Sequence, residues 1–199
     1  MPEFLKIAAL AGLLVLSSKP VMAIDQTSVT PAEFDCWEPE RIFKQCAAKG
    51  PDGRPRLKRS YLARLRYDSD GLASVLLIHR TDTKQSQWFY VRRGLAPVPV
   101  ESMDNGPDYF NDGLARSRVG GKIGYIDRKL NLVIPATYDG AYPFEDGVAV
   151  VCTACTLVSE SEHSEHSWYE GGQWGRIDRK GRVVSPFRPW QKGQRLEFN

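Results

Sequence analysis

Two short motifs recur in the second half of this 199-residue chain, and a recurring motif limits the available folds more sharply than composition does. Phe110-Asn111-Asp112-Gly113-Leu114-Ala115 returns as Phe144-Glu145-Asp146-Gly147-Val148-Ala149. Gly124-Tyr125-Ile126-Asp127-Arg128-Lys129 returns as Gly175-Arg176-Ile177-Asp178-Arg179-Lys180. The second pair stands farther apart than the first because an insert, residues 152–170, separates the motifs of the later copy. Fainter echoes occur at Asp70-Gly71-Leu72-Ala73 and Trp190-Gln191-Lys192-Gly193.

Each copy reads as a β-hairpin. Asp178-Arg179-Lys180-Gly181 puts Asp first and Gly fourth in a turn, with apolar residues on both sides, the preference of a type I turn. Pro135 and Pro186 end the returning strands, because proline has no N–H to give a ladder. One hairpin buries too little apolar surface to stand alone, so copies must stack and share a core. Phe110, Tyr125, Tyr138, Phe144 and Trp174 are the expected fillers. Upstream, 61–67 and 72–79 flank Asp68-Ser69-Asp70-Gly71 and read as a further hairpin, and 87–92, with Trp88, Phe89, Tyr90 and Val91, reads as a strand. Residues 24–59 differ, with a short helix expected over 39–48 around Ile42 and Phe43 before the stretch GPDGRPRLKR. The expected fold is all-β: tandem antiparallel β-hairpin repeats in one array, residues 60–199, behind a partly helical lead-in, with clear repeats over 109–187.

Phe-x-x-Gly-Leu-Ala followed by Gln173-Trp174-Gly175-Arg176-Ile177-Asp178-Arg179-Lys180-Gly181 and Pro186 resembles the WG repeat, a bacterial β-repeat that occurs in tandem and in many exported proteins. In the other copy Ile123 stands where the Trp would be and Leu130 where the turn Gly would be, with Asn131 expected to take the left-handed conformation. The resemblance covers about 86–193. It implies architecture, and it brings no common activity and no catalytic residues.

Residues 1–23 have the three-part layout of a secretory leader: Lys6, the apolar run 7–16, and a break ending in Val21-Met22-Ala23. That run is about half of what a bilayer span needs, so cleavage after Ala23 and a soluble periplasmic or secreted protein are expected. The formal net charge is +3, and loss of Lys6, Lys19 and Glu3 lowers it by one. So near-neutral a balance predicts no nucleic-acid partner and no membrane insertion after cleavage. The charge is uneven: Arg54, Arg56, Lys58, Arg59, Arg64 and Arg66 have no acid among them, whereas Glu160, Glu162, Glu165 and Glu170 crowd the insert. Solvated faces are the plain reading; the other is a basic patch for an anionic polymer or acidic partner.

Chemistry concentrates in the insert. Four cysteines in an exported chain imply disulfides, and spacing favours Cys36 with Cys46 and Cys152 with Cys155. The alternative for the second pair is a zinc site of Cys152, Cys155, His163 and His166, whose paired spacings suit tetrahedral coordination but whose thiols must stay reduced. A redox-active pair is a third reading, opposed by Glu160, Glu162 and Glu165, which would raise a thiol pKa. Glu160, Glu162, Glu165, Trp168 and Tyr169 form the candidate recognition loop, although the two aromatics are equally placed to fold back on the sheet. His79, near Asp82, lacks a nucleophile that sequence can place, and no phosphate-cradling loop occurs. The expectation is therefore a non-enzymatic binding or scaffold module without a catalytic site or cofactor. Its partner would be an envelope protein or polymer, or a secreted toxin that it neutralises as an immunity protein. A metal- or thiol-dependent protein using the Cys/His cluster is the alternative.

Overall fold

The computed structural model describes residues 33–38, 41–103, 105–159 and 167–191. Residues 1–23, expected to be a leader, lie outside them, as do Glu160, Glu162, His163, Glu165 and His166. Among the described residues no helix is long and apolar enough to cross a membrane.

The first sheet contains β1 (Phe34–Glu38), β2 (Arg41–Lys49), β3 (Pro55–Leu57), β4 (Leu72–His79), β5 (Gln87–Arg92) and β6 (Val98–Val100), in the order β3-β2-β1-β4-β5-β6. Two expectations fail here. The segment expected to be helical is strand β2, paired antiparallel with β1 and tied to it by the Cys36–Cys46 disulfide; cross-strand pairing and the bond override the helix-forming Lys44, Gln45, Ala47 and Ala48. The strand expected over 61–67 is absent. A short helix, α1 (Arg59–Leu62), stands there and places Tyr61 and Leu65 in the core, while β4 pairs with β1 and β5 instead.

Alternation along β4 and β5 gives this sheet two buried faces. Val75, Leu77, Phe89 and Val91 pack with Phe34, Cys46, Tyr61 and Leu65 on one side. Leu72, Trp88 and Tyr90 on the other face Ala115, Ile126 and Leu130 of the repeats. Burying one such large apolar side chain is worth about 1.5–3 kcal/mol, so the upstream sheet and the repeats are joined by a shared core rather than by a tether.

A small hairpin of β7 (Ser102–Met103) and β8 (Gly106–Pro107) leads into the repeats. The first repeat is a three-stranded sheet of β9 (Leu114–Val119), β10 (Lys122–Asp127) and β11 (Leu132–Tyr138). The second contains β12 (Gly140–Ala141), β13 (Val148–Thr153), β16 (Gln173–Asp178) and β17 (Val183–Pro189), in that order, and from it projects the insert hairpin β14 (Thr156–Ser159) and β15 (Ser167–Glu170). Leu114, Ile123, Tyr125 and Ile134 of the first repeat meet Phe144, Ala149, Val151 and Ile177 of the second. The expected all-β array of stacked antiparallel hairpins is what forms.

The repeat motifs have common local causes. Asp112 and Gly113, like Asp146 and Gly147, have positive φ (51° and 81°, 50° and 81°), giving the two-residue hairpin turn that Asp-Gly prefers. The Asp112 carboxylate accepts a hydrogen bond from the Gly147 N–H at 2.7 Å, coupling the two turns. In the other motif, Asp127 Oδ1 accepts from the N–H groups of Lys129 and Asn131, and Asp178 Oδ1 from those of Lys180 and Arg182. Asp68 Oδ1 accepts from Asp70 and Leu72 in the same way. The turn before β4 is thus a third copy of this device, and Arg128 from the second copy bridges to Asp68 at 3.0 Å and to Asp70 at 2.6 Å. The left-handed residue of the middle turn is Leu130 itself, with φ of 67°, and not Asn131 as expected.

The repeat glycines answer a spatial demand. A Cβ on Gly124 would lie 2.4 Å from the Ile134 carbonyl oxygen, and one on Gly175 would lie 2.7 Å from the Phe187 ring. At both places the register of the neighbouring strand shifts, so the returning strand crosses where only hydrogen leaves room.

Candidate binding cleft

Register defines where the insert departs. Val119 pairs with Lys122 across Gly120-Gly121, and Thr153 pairs with Gln173 in the equivalent place. Residues 154–172 therefore stand where the first repeat has two glycines. The bend begins at Ala154, with φ of 55°, whose N–H donates to Asp139 Oδ2 at 2.7 Å while Lys122 Nζ holds Asp139 Oδ1 at 2.5 Å. The bond from Lys122, followed by that from Ala154, keeps the Asp139 carboxyl below the usual carboxylate range. Cys152 and Cys155 are joined across this bend, with Cα atoms 6.0 Å apart. Trp174, opposite Cys152 in the ladder, packs on the bridge with Val150, Tyr142 and Tyr169, and its indole N–H donates to the Gly171 carbonyl at 2.8 Å.

Tyr169 folds back. Its ring meets Tyr142 edge-on at 6.1 Å, and its hydroxyl lies 3.4 Å from the Arg118 guanidinium. Gly140 is pressed between Tyr169 and the Cys152 sulfur, each 2.6 Å from where a Cβ would stand. Trp168, facing the other way, is 38% exposed, with its indole N–H on Glu170 at 2.8 Å. Of the loop residues expected to recognise a partner, one is thus anchored and one displayed. His79 accepts the Asp82 N–H at 3.1 Å and touches Phe34 edge-on, an ordinary strand-end role.

Between the insert hairpin, the first repeat and the six-stranded sheet lies a cleft of about 930 Å³. Leu157, Tyr169 and Cys155 contribute one wall; Glu101, Arg116, Arg118, Asp139 and Tyr142 a second; Gln85, Ser86 and Gln87 a third. Apart from the exposed Lys84, its charges are matched internally. Arg116 clamps the fully buried Asp108 at 2.6 Å and donates to the Ala141 carbonyl at 3.1 Å; burial alone would ease its proton off, but the Asp108 bonds hold it on more firmly than usual. Arg118 forms a two-pronged pair with Glu101 at 2.8 and 2.9 Å, which raises its pKa despite partial burial. What remains to greet a ligand is the Lys84 ammonium with aromatic and amide surface in a fixed polar frame, the composition of a preformed recognition site.

The disulfides stand as spacing suggested. With both sulfurs in a bond, Cys152 and Cys155 present no thiolates for the four-ligand site, whose other members, His163 and His166, lie outside the described residues. Among the described residues no three His, Cys, Asp or Glu side chains group as metal ligands. Sequence reasoning missed Glu101, Asp108, Arg116 and Arg118. The available signal was Arg116 and Arg118 alternating on one strand of an otherwise apolar repeat, which puts both on one face.

No curated protein and no solved structure matches the chain. The family model described as WG containing repeat matches residues 123–153, the uninterrupted span β10–β13, although its copy has Ile123 and Leu130 in place of Trp and Gly. That match identifies residues 123–153 as a WG containing repeat, and β16 and β17 have the same turn and glycine crossing.

Proposed function

We propose that this chain is an exported binding module, working in the periplasm or outside the cell, whose cleft receives part of an envelope protein or polymer. The observation that carries the reading is that the insert, the one segment that breaks the repeat pattern, forms a wall of the cleft of about 930 Å³. Repeat arrays recognise partners through their extended faces and the insertions that project from them. The reading is non-enzymatic and without a resident cofactor, since Glu101, Asp139, Arg116 and Arg118 are each committed to an ion pair and none is poised as a base beside a nucleophile. A secreted toxin fits as one kind of partner protein, which would make the chain an immunity protein.

The test compares the mature chain with a variant in which residues 154–172 are replaced by Gly-Gly, as in the first repeat, with Cys152→Ser. Both are immobilised and challenged with solubilised envelope. An envelope component held by the wild type and released by the trimmed chain and by Leu157→Asp supports the cleft; equal retention by all three overturns it. N-terminal sequencing that finds Ile24 first supports export. Tight zinc binding by the reduced chain, lost in a His163→Ala, His166→Ala double variant, would replace this reading with the metal-dependent one.

A further inference from the structure

A second cavity, about 240 Å³, lies beside the Cys36–Cys46 bridge and is lined by Lys44, Lys58, Ser60 and Arg64 with Phe43 and Tyr61; no carboxylate lines it. Its walls are fixed. The bridge anchors Cys46, whose carbonyl accepts the Lys58 N–H at 2.8 Å. Asp35 accepts the Gln45 N–H at 2.7 Å, where φ is 55°, and the Phe43 and Tyr61 rings meet edge-on at 5.1 Å.

The two acids that bond to its lining side chains are already committed. Asp35 pairs with Lys44 at 2.9 Å and Glu38 accepts the Tyr61 hydroxyl at 2.7 Å. The Lys58 and Arg64 side chains have neither an ion pair nor a hydrogen bond among the described residues, and both are exposed. Arg54, Arg59 and Arg66, also exposed, flank them in sequence, and among the described residues Arg56 is the one of the six cations from Arg54 to Arg66 with a carboxylate partner, Asp52 at 2.9 Å. Holding this much like charge together costs self-repulsion, which an anionic ligand removes.

We propose that this pocket binds a phosphate group of a polyanionic chain, with Lys58 and Arg64 as its principal contacts, Ser60 as hydroxyl donor, and the flanking arginines engaging neighbouring phosphates. The guanidinium of Arg64 offers paired donors that match phosphate oxygens. A polymer fits better than a membrane surface, since the site is concave and α1, with four residues, is no amphipathic helix to lie in a lipid interface. The site is independent of the cleft and stands or falls without it.

The probe is long-chain inorganic polyphosphate, titrated into the full mature chain at several salt concentrations. About three phosphate contacts give a log–log salt slope of about −2, so a fourfold rise in salt weakens binding roughly fifteenfold. The double variant Lys58→Ser, Arg64→Ser loses most of the affinity. A control with the same charge loss on an exposed turn, Arg179→Ser, Lys180→Ser, keeps it. No binding at low salt, equal affinity in the wild type and the pocket variant, or equal loss in both variants overturns the proposal. Stronger binding to phosphatidylglycerol vesicles than to polyphosphate overturns it in favour of a membrane surface.

Discussion

Leu130 and Gly181 occupy the same position in two successive turns and share a left-handed backbone, with φ of 67° and 76°. Leucine costs about 1–2 kcal/mol there. Leu130 is nevertheless buried, packing with Leu72, Trp88, Tyr90 and Ile126 where the first repeat meets the six-stranded sheet. Leu130→Gly therefore removes strain and a core side chain together. Since large-to-small core changes cost about 2–5 kcal/mol, the net expectation is a loss of about 1–3 kcal/mol, read from urea unfolding. A gain in stability would show that the turn, and not the seam, governs this position.

The two crossing glycines should differ in tolerance. Gly124→Ala drives a methyl into the backbone of Ile134 and Ala136, whereas Gly175→Ala meets the Phe187 ring, which can turn aside. The second should cost about 1–3 kcal/mol, as overpacking does, and the first more than about 4. Thermal unfolding of the two variants side by side decides it, and the reverse order would mean that β11 yields more readily than a side chain.

Trp174→Ala should destabilise the chain by about 3–5 kcal/mol, the range for truncating a buried aromatic, because Trp174 is 8% exposed and packs on the Cys152–Cys155 bridge. Denaturant unfolding measures it. A change below about 1 kcal/mol is what an exposed tryptophan would give.

The two bridges should contribute unequally. From the chain entropy of their closed loops, Cys36–Cys46 is worth about 3 kcal/mol and the shorter Cys152–Cys155 loop about 2. Paired serine substitutions, one bridge at a time, test that order by unfolding. Intact mass before and after reduction should report both bridges in the purified mature chain.

Acid should unfold the protein through its turns. The Leu72 N–H holds the Asp68 carboxyl down, and the Arg182 side chain does the same for Asp178. At Asp127 burial pushes up, but the bonds from Asn131 and Lys129 outweigh it. Each folded-state pKa lies below its unfolded value, so the folded state binds fewer protons. This stabilisation is complete above the ordinary value of about 3.9 and is lost as pH falls through the lowered ones. The urea midpoint should stay level from about pH 7 to 5 and drop below about pH 4, with a shallower drop in Asp127→Asn. An unaltered acid slope in that variant would remove the turns as its cause.

Much of the array was legible because its signals are local: Asp and Gly at fixed turn positions and cysteines at short spacing. Pro135 and Pro186, expected to end the returning strands, instead lie within β11 and β17, edge strands where a missing N–H can face away from the ladder. Errors arose where distant pairing decides. Arg41–Lys49 contains good helix formers, yet β1 and the Cys36 bond claim it as strand. Tyr61 and Leu65 did carry a helical signal, four residues apart and both buried, but the flanking arginines and the hairpin-like turn at Asp68 obscured it. The cleft was illegible for a different reason. Nothing in the spacing tells Arg116 and Arg118 which acids they meet; Asp108 and Glu101 reach them through the small hairpin upstream.

The junction at Thr153 and Gln173 has a consequence for engineering. The ladder closes there in the same register as the first repeat, while Asp139 and the Cys152–Cys155 bridge secure the departing strand from behind. Beyond that clasp, Leu157 is 57% and Trp168 is 38% exposed, so at these two positions the hairpin stands clear of the packing that holds the repeats together. Foreign peptides grafted between residues 158 and 168 would be carried on a mount fixed by that clasp, and the interior would need no redesign.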